Sequence, residues 1–230
     1  MGWITNSSWV TNILKQKYDK KGSLVVPGVD TKVFHPKTEN RDCDPKKIIC
    51  LGKSKPIKGL HYAFEALKYI HKTEPNIKLI MYGSEPDLKR LSPVSCDYIC
   101  NPSDEKLAEL YSSSQVAIMP SLYESSPLVP LEAMACGTPI VVTQFGVSDY
   151  CHNNKNSIVI PPRDPKKMAE ATCRILTDES LAENLRKNGM RTANQFTWER
   201  TVETVEKIFG KGLSDIEKSR FGDLQSKFIS

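Results

Sequence analysis

The sequence has no hydrophobic run long enough to cross a bilayer, no Cys-x-x-Cys pair and no large excess of charge of either sign. Its 230 residues are 39% hydrophobic and 26% charged, with a formal net charge of +5. A membrane span needs about 20 consecutive apolar residues, and disordered chains are poorer in hydrophobic side chains. We therefore expect a soluble globular protein rather than a membrane protein, a disordered chain or a disulfide-stapled miniprotein. The mild positive charge permits anionic ligands but requires none.

The cysteines and the first residues indicate the cellular compartment. Seven cysteines are an odd number, which favours reduced thiols that mostly fill the core. The sequence after Met1 has no basic segment followed by an apolar one, so we expect no secretory signal. A cytoplasmic location is the prediction.

Short β-rich runs alternate with helical patterns between Lys46 and Arg163. Several runs are almost continuously apolar, which is typical of strands buried on both faces of a parallel sheet. Strand–helix alternation with short connections predicts an α/β fold, a Rossmann-like parallel sheet sandwiched by helices. The predicted strands are Ile48–Leu51, Ile77–Tyr82, Asp97–Cys100, Val116–Met119, Pro139–Val142 and Ser157–Ile160.

The segments that flank this region are helical or polar. Ser8–Tyr18 has apolar side chains on one face and lysines behind it, a pattern that predicts an amphipathic helix. We expect its apolar face to pack on protein, with peripheral contact with an anionic membrane as the alternative. The predicted organisation is a helical arm over 1–21, a domain over 22–211 and a loose tail over 212–230.

The loop after the first central strand, Gly52–Gly59, contains three lysines and two glycines. It lies between a strand end and the N-terminus of the next predicted helix, where ammonium groups and free amides can bind an anion. A diphosphate would suit this position. A solvated basic loop is the alternative.

The loop after the Val116 strand carries two glutamates eight positions apart, Glu124 and Glu132. Ser126 suits an N-cap and Pro127 the first helical position, so we predict a helix that starts there. Glu132 lies in an otherwise apolar segment, where a buried carboxylate needs partners. A vicinal diol is one candidate partner, and a nearby Lys or Arg is the commoner one.

Several segments in register resemble the retaining, metal-independent GT-B glycosyltransferases of family 4, or group 1. The Glu124-x7-Glu132 frame with LEAMACGTPIV is similar to the signature of that family. LGKSKPIKGL is similar to its phosphate loop, and VPGVDTKVFHP to the crossover into its C-terminal domain. IVIPPRDPKKMAEA and FTWERTVETVEKIF resemble its closing segments. The resemblance runs from about Ile4 to Phe209 and implies the C-terminal, donor-binding half of a GT-B fold.

The resemblance also implies a site for the diphosphate of a nucleotide-sugar donor. Lys53 and Lys58 would neutralise the leaving diphosphate, within a loop that begins at Gly52. Backbone amides between Ser126 and Leu128 would assist them. Fixed cations would take the place of a metal, so the family implies neither a metal nor a separate cofactor.

The sugar and nucleoside would be bound by other residues of the same edge. Glu132 would hold the ribose hydroxyls, and Glu124 would contact hydroxyls of the transferred sugar. The turn at Asn101 would lie near the base. The implied reaction is transfer of a hexosyl unit, such as mannosyl or glucosyl, to a glycan or lipid-linked acceptor with retention of configuration.

The sequence departs from the family pattern at several positions. Lys53 stands where the family usually has Arg, which replaces a bidentate fork by a point charge. Ser125-Ser126-Pro127 replaces the usual Gly-Phe-Gly, and Gly83-Ser84-Glu85-Pro86 lacks a second glycine. The resemblance also implies that the sequence would begin inside the last unit of the family's N-terminal domain, which normally supplies the acceptor site and a catalytic histidine.

The alternatives to a glycosyltransferase are therefore a non-catalytic nucleotide-sugar-binding subunit that needs a partner acceptor domain, and a sugar-nucleotide epimerase of the same fold.

Asp42-Cys43-Asp44 mimics a metal motif of another glycosyltransferase fold, but its place before the first central strand favours a surface loop. Cys96, Cys100 and His152 have the wrong spacing for zinc. Interspersed charges and the lack of an aromatic platform argue against nucleic acid.

Overall fold

Strands and helices alternate along most of the chain in a computed structural model that describes residues 3–38 and 44–210. The strands are β1 (Trp3–Thr5), β2 (Gly22–Leu24), β3 (Lys46–Leu51), β4 (Ile77–Gly83), β5 (Cys96–Cys100), β6 (Val116–Met119), β7 (Ile140–Thr143) and β8 (Ile158–Ile160). The helices are α1 (Ser8–Tyr18), α2 (Leu60–Thr73), α3 (Asp104–Ser112), α4 (Val129–Ala135), α5 (Pro165–Thr177) and α6 (Glu179–Ala193). Residues 198–210 are also helical. The predicted tail over 212–230 and the residues Asp42 and Cys43 lie outside the described residues.

Six parallel strands form the main sheet in the order β5-β4-β3-β6-β7-β8. All six predicted strands are present, within two residues of their expected ends. Strands β6 and β7 are buried along their whole length, as expected for strands covered on both faces. The predicted α/β fold is thus confirmed. The order reverses between β3 and β6, so the helices that follow these two strands, α2 and α4, cover opposite faces of the sheet.

Alternate strand residues face two separate cores. One core packs α2 and α5 against Ile48, Leu79 and Ile118. The other packs α3 and α4 against the neighbouring strand positions, among them Ile49 and Ile80. The sheet is therefore sandwiched by helices, and its carboxyl edge is left to the loops.

The N-terminal arm forms a small unit of its own. Strands β1 and β2 pair in parallel, with α1 between them. The expected boundary after Lys21 therefore cuts this unit, because Gly22–Leu24 pair with Trp3–Thr5. None of the α1 residues is buried, although the Trp9 ring makes an edge contact with Tyr123, with ring centroids 5.1 Å apart.

No helix among the described residues is both long and apolar enough to span a bilayer.

The segment that precedes the main sheet is fastened to the C-terminal helical residues. The Val29 amide donates to the Phe196 carbonyl at 2.9 Å, and Val29 also forms a parallel bridge with Thr197. A Cβ atom on Gly28 would lie much closer to the Thr197 carbonyl carbon than the van der Waals contact distance of two carbon atoms. Only glycine fits at this crossing.

We expect Gly28→Ala to lower the free energy of unfolding by about 1–3 kcal/mol, because two backbones must separate to admit the methyl group. Gly210→Ala is the matched control, since a Cβ there meets nothing within 4 Å. Urea unfolding of the three proteins measures both effects. Equal stability of Gly28→Ala and the wild-type protein would contradict the close approach.

Candidate functional site

A pocket of about 160 Å³ opens at the carboxyl ends of β3 and β6. Ligands in open parallel sheets bind at the point where the strand order reverses, and these are the two strands that flank that point. The pocket is lined by Leu51, Lys58, Ile118, Met119, Pro120, Ser121, Glu124, Pro127, Leu128, Val129 and Glu132. It thus brings together four of the predicted site residues: Lys58, Glu124, Leu128 and Glu132.

Two loop contacts set the distance between Lys58 and Glu124. The Leu122 amide donates to the Ile57 carbonyl at 2.8 Å. Gly59 adopts a positive φ of 65°, and a Cβ atom on it would clash with the Pro120 carbonyl oxygen. The loops after β3 and β6 therefore touch. Lys58 Nζ consequently lies 2.7 Å from Glu124 Oε1, in a pair whose side chains are 30% and 15% exposed.

Glu132 projects from α4 into the apolar floor of the pocket. Its Oε2 accepts a hydrogen bond of 3.3 Å from the Tyr111 hydroxyl. Burial raises the pKa of the Glu132 carboxyl from an ordinary 4.5 to about 7, the Tyr111 hydrogen bond lowers it in part, and Asp104 raises it further. The sequence suggested a Lys or Arg as the common protein partner of Glu132, and the structure supplies a tyrosine instead.

Sequence reasoning missed the tyrosine partner because Leu107, Leu110 and Tyr111 have helical spacing, which by itself indicates only a helix that packs on the core. Tyr111 is 1% exposed, and its hydroxyl lies 2.6 Å from that of Tyr82. A buried tyrosine hydroxyl almost always finds a polar partner. That rule, applied to Tyr111 with the lone carboxylate of Glu132 in view, is the signal that could have paired them.

Three further predicted residues lie just after β3 and β5, and they contact the end of β4, which lies between these two strands. Lys53 Nζ donates to Ser84 Oγ at 2.6 Å. The Asn101 amide donates to the Gly83 carbonyl at 2.7 Å. The Gly52 carbonyl oxygen is so close to Gly83 that a Cβ atom there would lie 2.6 Å from it. Gly52, Lys53 and Asn101 thus share the carboxyl edge with the pocket without lining it.

The predicted helix start at Ser126 and Pro127 is wrong. Helix α4 begins at Val129 with Leu128 as its N-cap, and no side chain caps it. The Tyr150 hydroxyl donates to the Pro127 carbonyl at 2.5 Å, which holds that residue outside the helix. Leu128 lines the pocket, whereas Ser126 is absent from its lining.

A larger cavity, of about 520 Å³, lies away from the sheet edge. It is lined by Leu24, Val26 and residues between Gln195 and Thr204, and contains none of the predicted site residues. We place the candidate site at the smaller pocket because position in the fold and charged groups coincide there. Over residues 3–38 and 44–210, no group of three His, Cys, Asp or Glu side chains could hold a metal ion.

Comparison with known proteins identifies one family. The model of the glycosyl transferases group 1 matches residues 32–192. The chain is 28% identical to a D-inositol 3-phosphate glycosyltransferase of Acidothermus cellulolyticus, over 84% of this chain and 48% of that protein. It is 31% identical to an MMP alpha-(1->4)-mannosyltransferase of Mycolicibacterium hassiacum, over 84% of this chain and 49% of that protein. The chain thus spans about half the length of these relatives.

Solved glycosyltransferase structures share the fold. Sucrose-phosphate synthase from Thermosynechococcus elongatus superimposes with a TM-score of 0.81 at 24% identity, over 93% of this chain and 59% of that one. Anabaena Alr3699/HepE in complex with UDP-glucose gives a TM-score of 0.75 at 18% identity, over 89% and 63%. The likeness confirms the predicted half of a GT-B fold.

Glu132→Gln is expected to stabilise the protein at pH 8 by on the order of 3 kcal/mol, since each pKa unit corresponds to about 1.4 kcal/mol. The folded-state pKa of about 7 lies above the ordinary 4.5. The stability contributed by the protonated carboxyl is therefore complete below pH 4.5 and is lost as the pH rises through 7. Urea unfolding of both proteins from pH 5 to pH 8 tests this. A stability difference that does not change with pH would contradict it.

Proposed function

Because the chain belongs to the glycosyl transferases group 1, we propose that it binds a nucleoside diphosphate sugar between β3 and β6 and transfers the glycosyl unit to an acceptor. The observation that carries the proposal is the meeting of Lys58, Glu124 and Glu132 in one pocket at the reversal of strand order. The Lys58 cation suits the diphosphate of such a donor, the ion-paired Glu124 carboxylate suits the transferred sugar, and the largely buried Glu132 carboxylate suits the ribose.

The ribose is assigned to Glu132. Its carboxylate has two oxygens that accept hydrogen bonds, and only Oε2 is bonded to Tyr111. A vicinal diol can donate two hydrogen bonds to the remaining lone pairs. The raised pKa of this carboxyl reflects the cost of burying its negative charge. Hydrogen bonds from a bound diol would compensate that cost.

The diphosphate is assigned to the loop after β3. Lys58 lines the pocket, and Lys53 lies beside it at the same edge, bonded to Ser84. Both ammonium groups are held by exchangeable partners, so a phosphate oxygen can replace the glutamate or the serine. Charge that develops on the leaving diphosphate would be stabilised by these fixed cations without a metal.

The transferred sugar is assigned to Glu124. Its carboxylate neutralises Lys58 at 2.7 Å. When the diphosphate takes Lys58, the carboxylate becomes an acceptor for sugar hydroxyls. Donor binding would thus break the ion pair between Lys58 and Glu124 and replace it by a phosphate contact for Lys58 and hydroxyl contacts for Glu124.

The reaction would proceed with retention and without a protein nucleophile. The bond between the anomeric carbon and the diphosphate oxygen breaks, and its electron pair leaves with the diphosphate. The acceptor hydroxyl forms the new bond on the same face, and its proton passes to the leaving phosphate oxygen. Since charge grows on the diphosphate in the transition state, Lys53 and Lys58 bind that state more tightly than the donor.

A binding role without turnover is the second candidate, because the chain spans about half the length of the relatives it matches. In that role the chain would hold the donor while a partner domain supplies the acceptor site. The same pocket predicts donor binding in both cases. Release of the nucleoside diphosphate by the purified chain in the presence of an acceptor distinguishes an enzyme from a binding subunit.

Donor binding is tested by a thermal-shift screen of UDP, GDP, ADP and their sugars, with and without magnesium. We expect one nucleotide to raise the melting temperature without magnesium, since a ligand at a hundredfold excess over its Kd stabilises by about 2.7 kcal/mol. Glu132→Ala should abolish the shift in melting temperature. Lys58→Ala should weaken nucleotide binding at least tenfold, which corresponds to roughly 1.4 kcal/mol of binding free energy. Lys55→Ala, an exposed lysine of the same loop, is the matched control. Equal losses in both lysine variants would indicate bulk charge instead of a site.

Glu124→Gln should raise the affinity for the nucleoside diphosphate about two- to fivefold, because Lys58 no longer has to leave an ion pair worth up to about 1 kcal/mol. The preference for the nucleotide sugar over the nucleoside diphosphate should fall in the same variant. Calorimetric titration with both ligands measures the two effects. An unchanged preference would remove Glu124 from the sugar subsite.

A further inference from the structure

Two buried tyrosines form a hydrogen-bonded chain that ends on Glu132. The Tyr82 and Tyr111 hydroxyls lie 2.6 Å apart, and the Tyr111 hydroxyl lies 3.3 Å from Glu132 Oε2. Tyr82 is 6% exposed and Tyr111 1%. The chain starts on β4, passes through α3 and reaches α4, so it links three elements behind the pocket.

The donor and acceptor of each hydrogen bond between Tyr82, Tyr111 and Glu132 follow from counting protons. A tyrosine hydroxyl has one proton to donate, and an ionised carboxylate can only accept. Tyr111 therefore gives its proton to Glu132, and Tyr82 must give its proton to Tyr111. Successive bonds of one direction polarise each other, which strengthens the bond that reaches the carboxylate.

We propose that Tyr111 is a positioning residue, which fixes the Glu132 carboxylate for the ribose diol, and that Tyr82 orients the Tyr111 hydroxyl. This inference rests on the proposed function for its ligand, the vicinal diol of a nucleotide. The bond from Tyr111 occupies one lone pair of Oε2 and leaves Oε1 and the rest of Oε2 for a diol in the pocket that Glu132 lines. Neither tyrosine lines the pocket, so both act through Glu132.

The groups around Glu132 explain why its carboxylate needs a hydrogen-bond donor. Asp104, on the same helix as Tyr111, opposes ionisation of the Glu132 carboxyl. The nearby cation, Lys58, is bonded to Glu124. The Tyr111 hydroxyl is the group that lowers the pKa of Glu132 against burial. Without it, the carboxyl would be protonated at neutral pH and would accept fewer hydrogen bonds from a diol.

The alternative is a purely structural role, in which the two hydroxyls only satisfy one another in the core. Both roles predict some loss of stability when a hydroxyl is removed. Only the positioning role predicts a change in the titration of Glu132 and in the pH dependence of nucleotide binding. These two readouts therefore distinguish the two roles.

The test compares the wild-type protein with Tyr111→Phe, Tyr82→Phe and the double variant. The titration of Glu132 is followed by ¹³C NMR of its carboxyl carbon, assigned by its loss in Glu132→Gln. Nucleotide affinity is measured by calorimetry from pH 6 to pH 9 with whichever of UDP, GDP and ADP binds the wild-type protein. Glu132→Gln also reports any titration of the ligand phosphate or of other groups, which is common to all variants.

We expect Tyr111→Phe to raise the titration midpoint of Glu132 by about one pH unit, the effect of losing one hydrogen bond to an ionised oxygen. Nucleotide affinity at pH 7 should fall about fivefold from this shift, and part of the loss should persist at pH 9, where orientation is still missing. Tyr82→Phe should shift the midpoint in the same direction by a smaller amount. If Tyr111→Phe fails to fold because the Tyr82 hydroxyl is left unpaired, the double variant removes both hydroxyls and carries the same expectation.

Tyr150→Phe is the matched control. Its hydroxyl is bonded to the Pro127 carbonyl and not to Glu132, so its loss should leave the Glu132 midpoint unchanged. An unshifted midpoint in both Tyr111→Phe and the double variant would overturn the inference. If the wild-type protein binds none of the three nucleotides, the proposed function fails instead, and the NMR midpoints still decide whether Tyr111 orients Glu132.

Discussion

The reversal of strand order between β3 and β6 is the constraint on which the rest of the site depends. Because the chain leaves these two neighbouring strands toward opposite faces, their carboxyl ends border a crevice that neither helix layer closes. The two loops meet across it where Gly59 approaches Pro120, a contact that any side chain would prevent. Lys58 precedes Gly59, so this backbone contact is what brings its ammonium group to Glu124.

The residues of the pocket neutralise one another's charges. Lys58 is neutralised by Glu124, and Glu132 is about half protonated near neutral pH, since its pKa is about 7. A diphosphate therefore meets little unpaired positive charge and must compete for Lys58. Such a site gains less affinity from the phosphates than an open basic loop would. In return, it favours ligands that also supply hydroxyl groups for the two carboxylates, which is a means of specificity.

Hydrophobic runs predicted the strands, because strands that are buried on both faces are apolar at almost every position. Apolar side chains at helical spacing predicted the helices. Position at strand ends predicted that Lys58 and Glu132 share one edge. The pairings were beyond the sequence: Lys58 and Glu124 are 66 residues apart, and Tyr111 and Glu132 are 21 apart. The misplaced start of α4 has the same origin, since Tyr150, 23 residues beyond Pro127, holds that carbonyl. Local propensity does not include such partners.

The two carboxylates differ in how they are held, and the difference matches their assigned tasks. Glu132 projects from a helix whose neighbours are fully buried, and its bond to Tyr111 leads back into the core. Glu124 lies on a loop, and its carboxylate is bonded to the partly exposed ammonium group of Lys58. The same loop touches the N-terminal arm, where Ser125 Oγ donates to Asn6 Oδ1 and Tyr123 meets Trp9. A ribose is common to every nucleotide donor and suits the fixed acceptor. In the proposed function the transferred sugar must arrive, react and leave, which suits the carboxylate that can change partners.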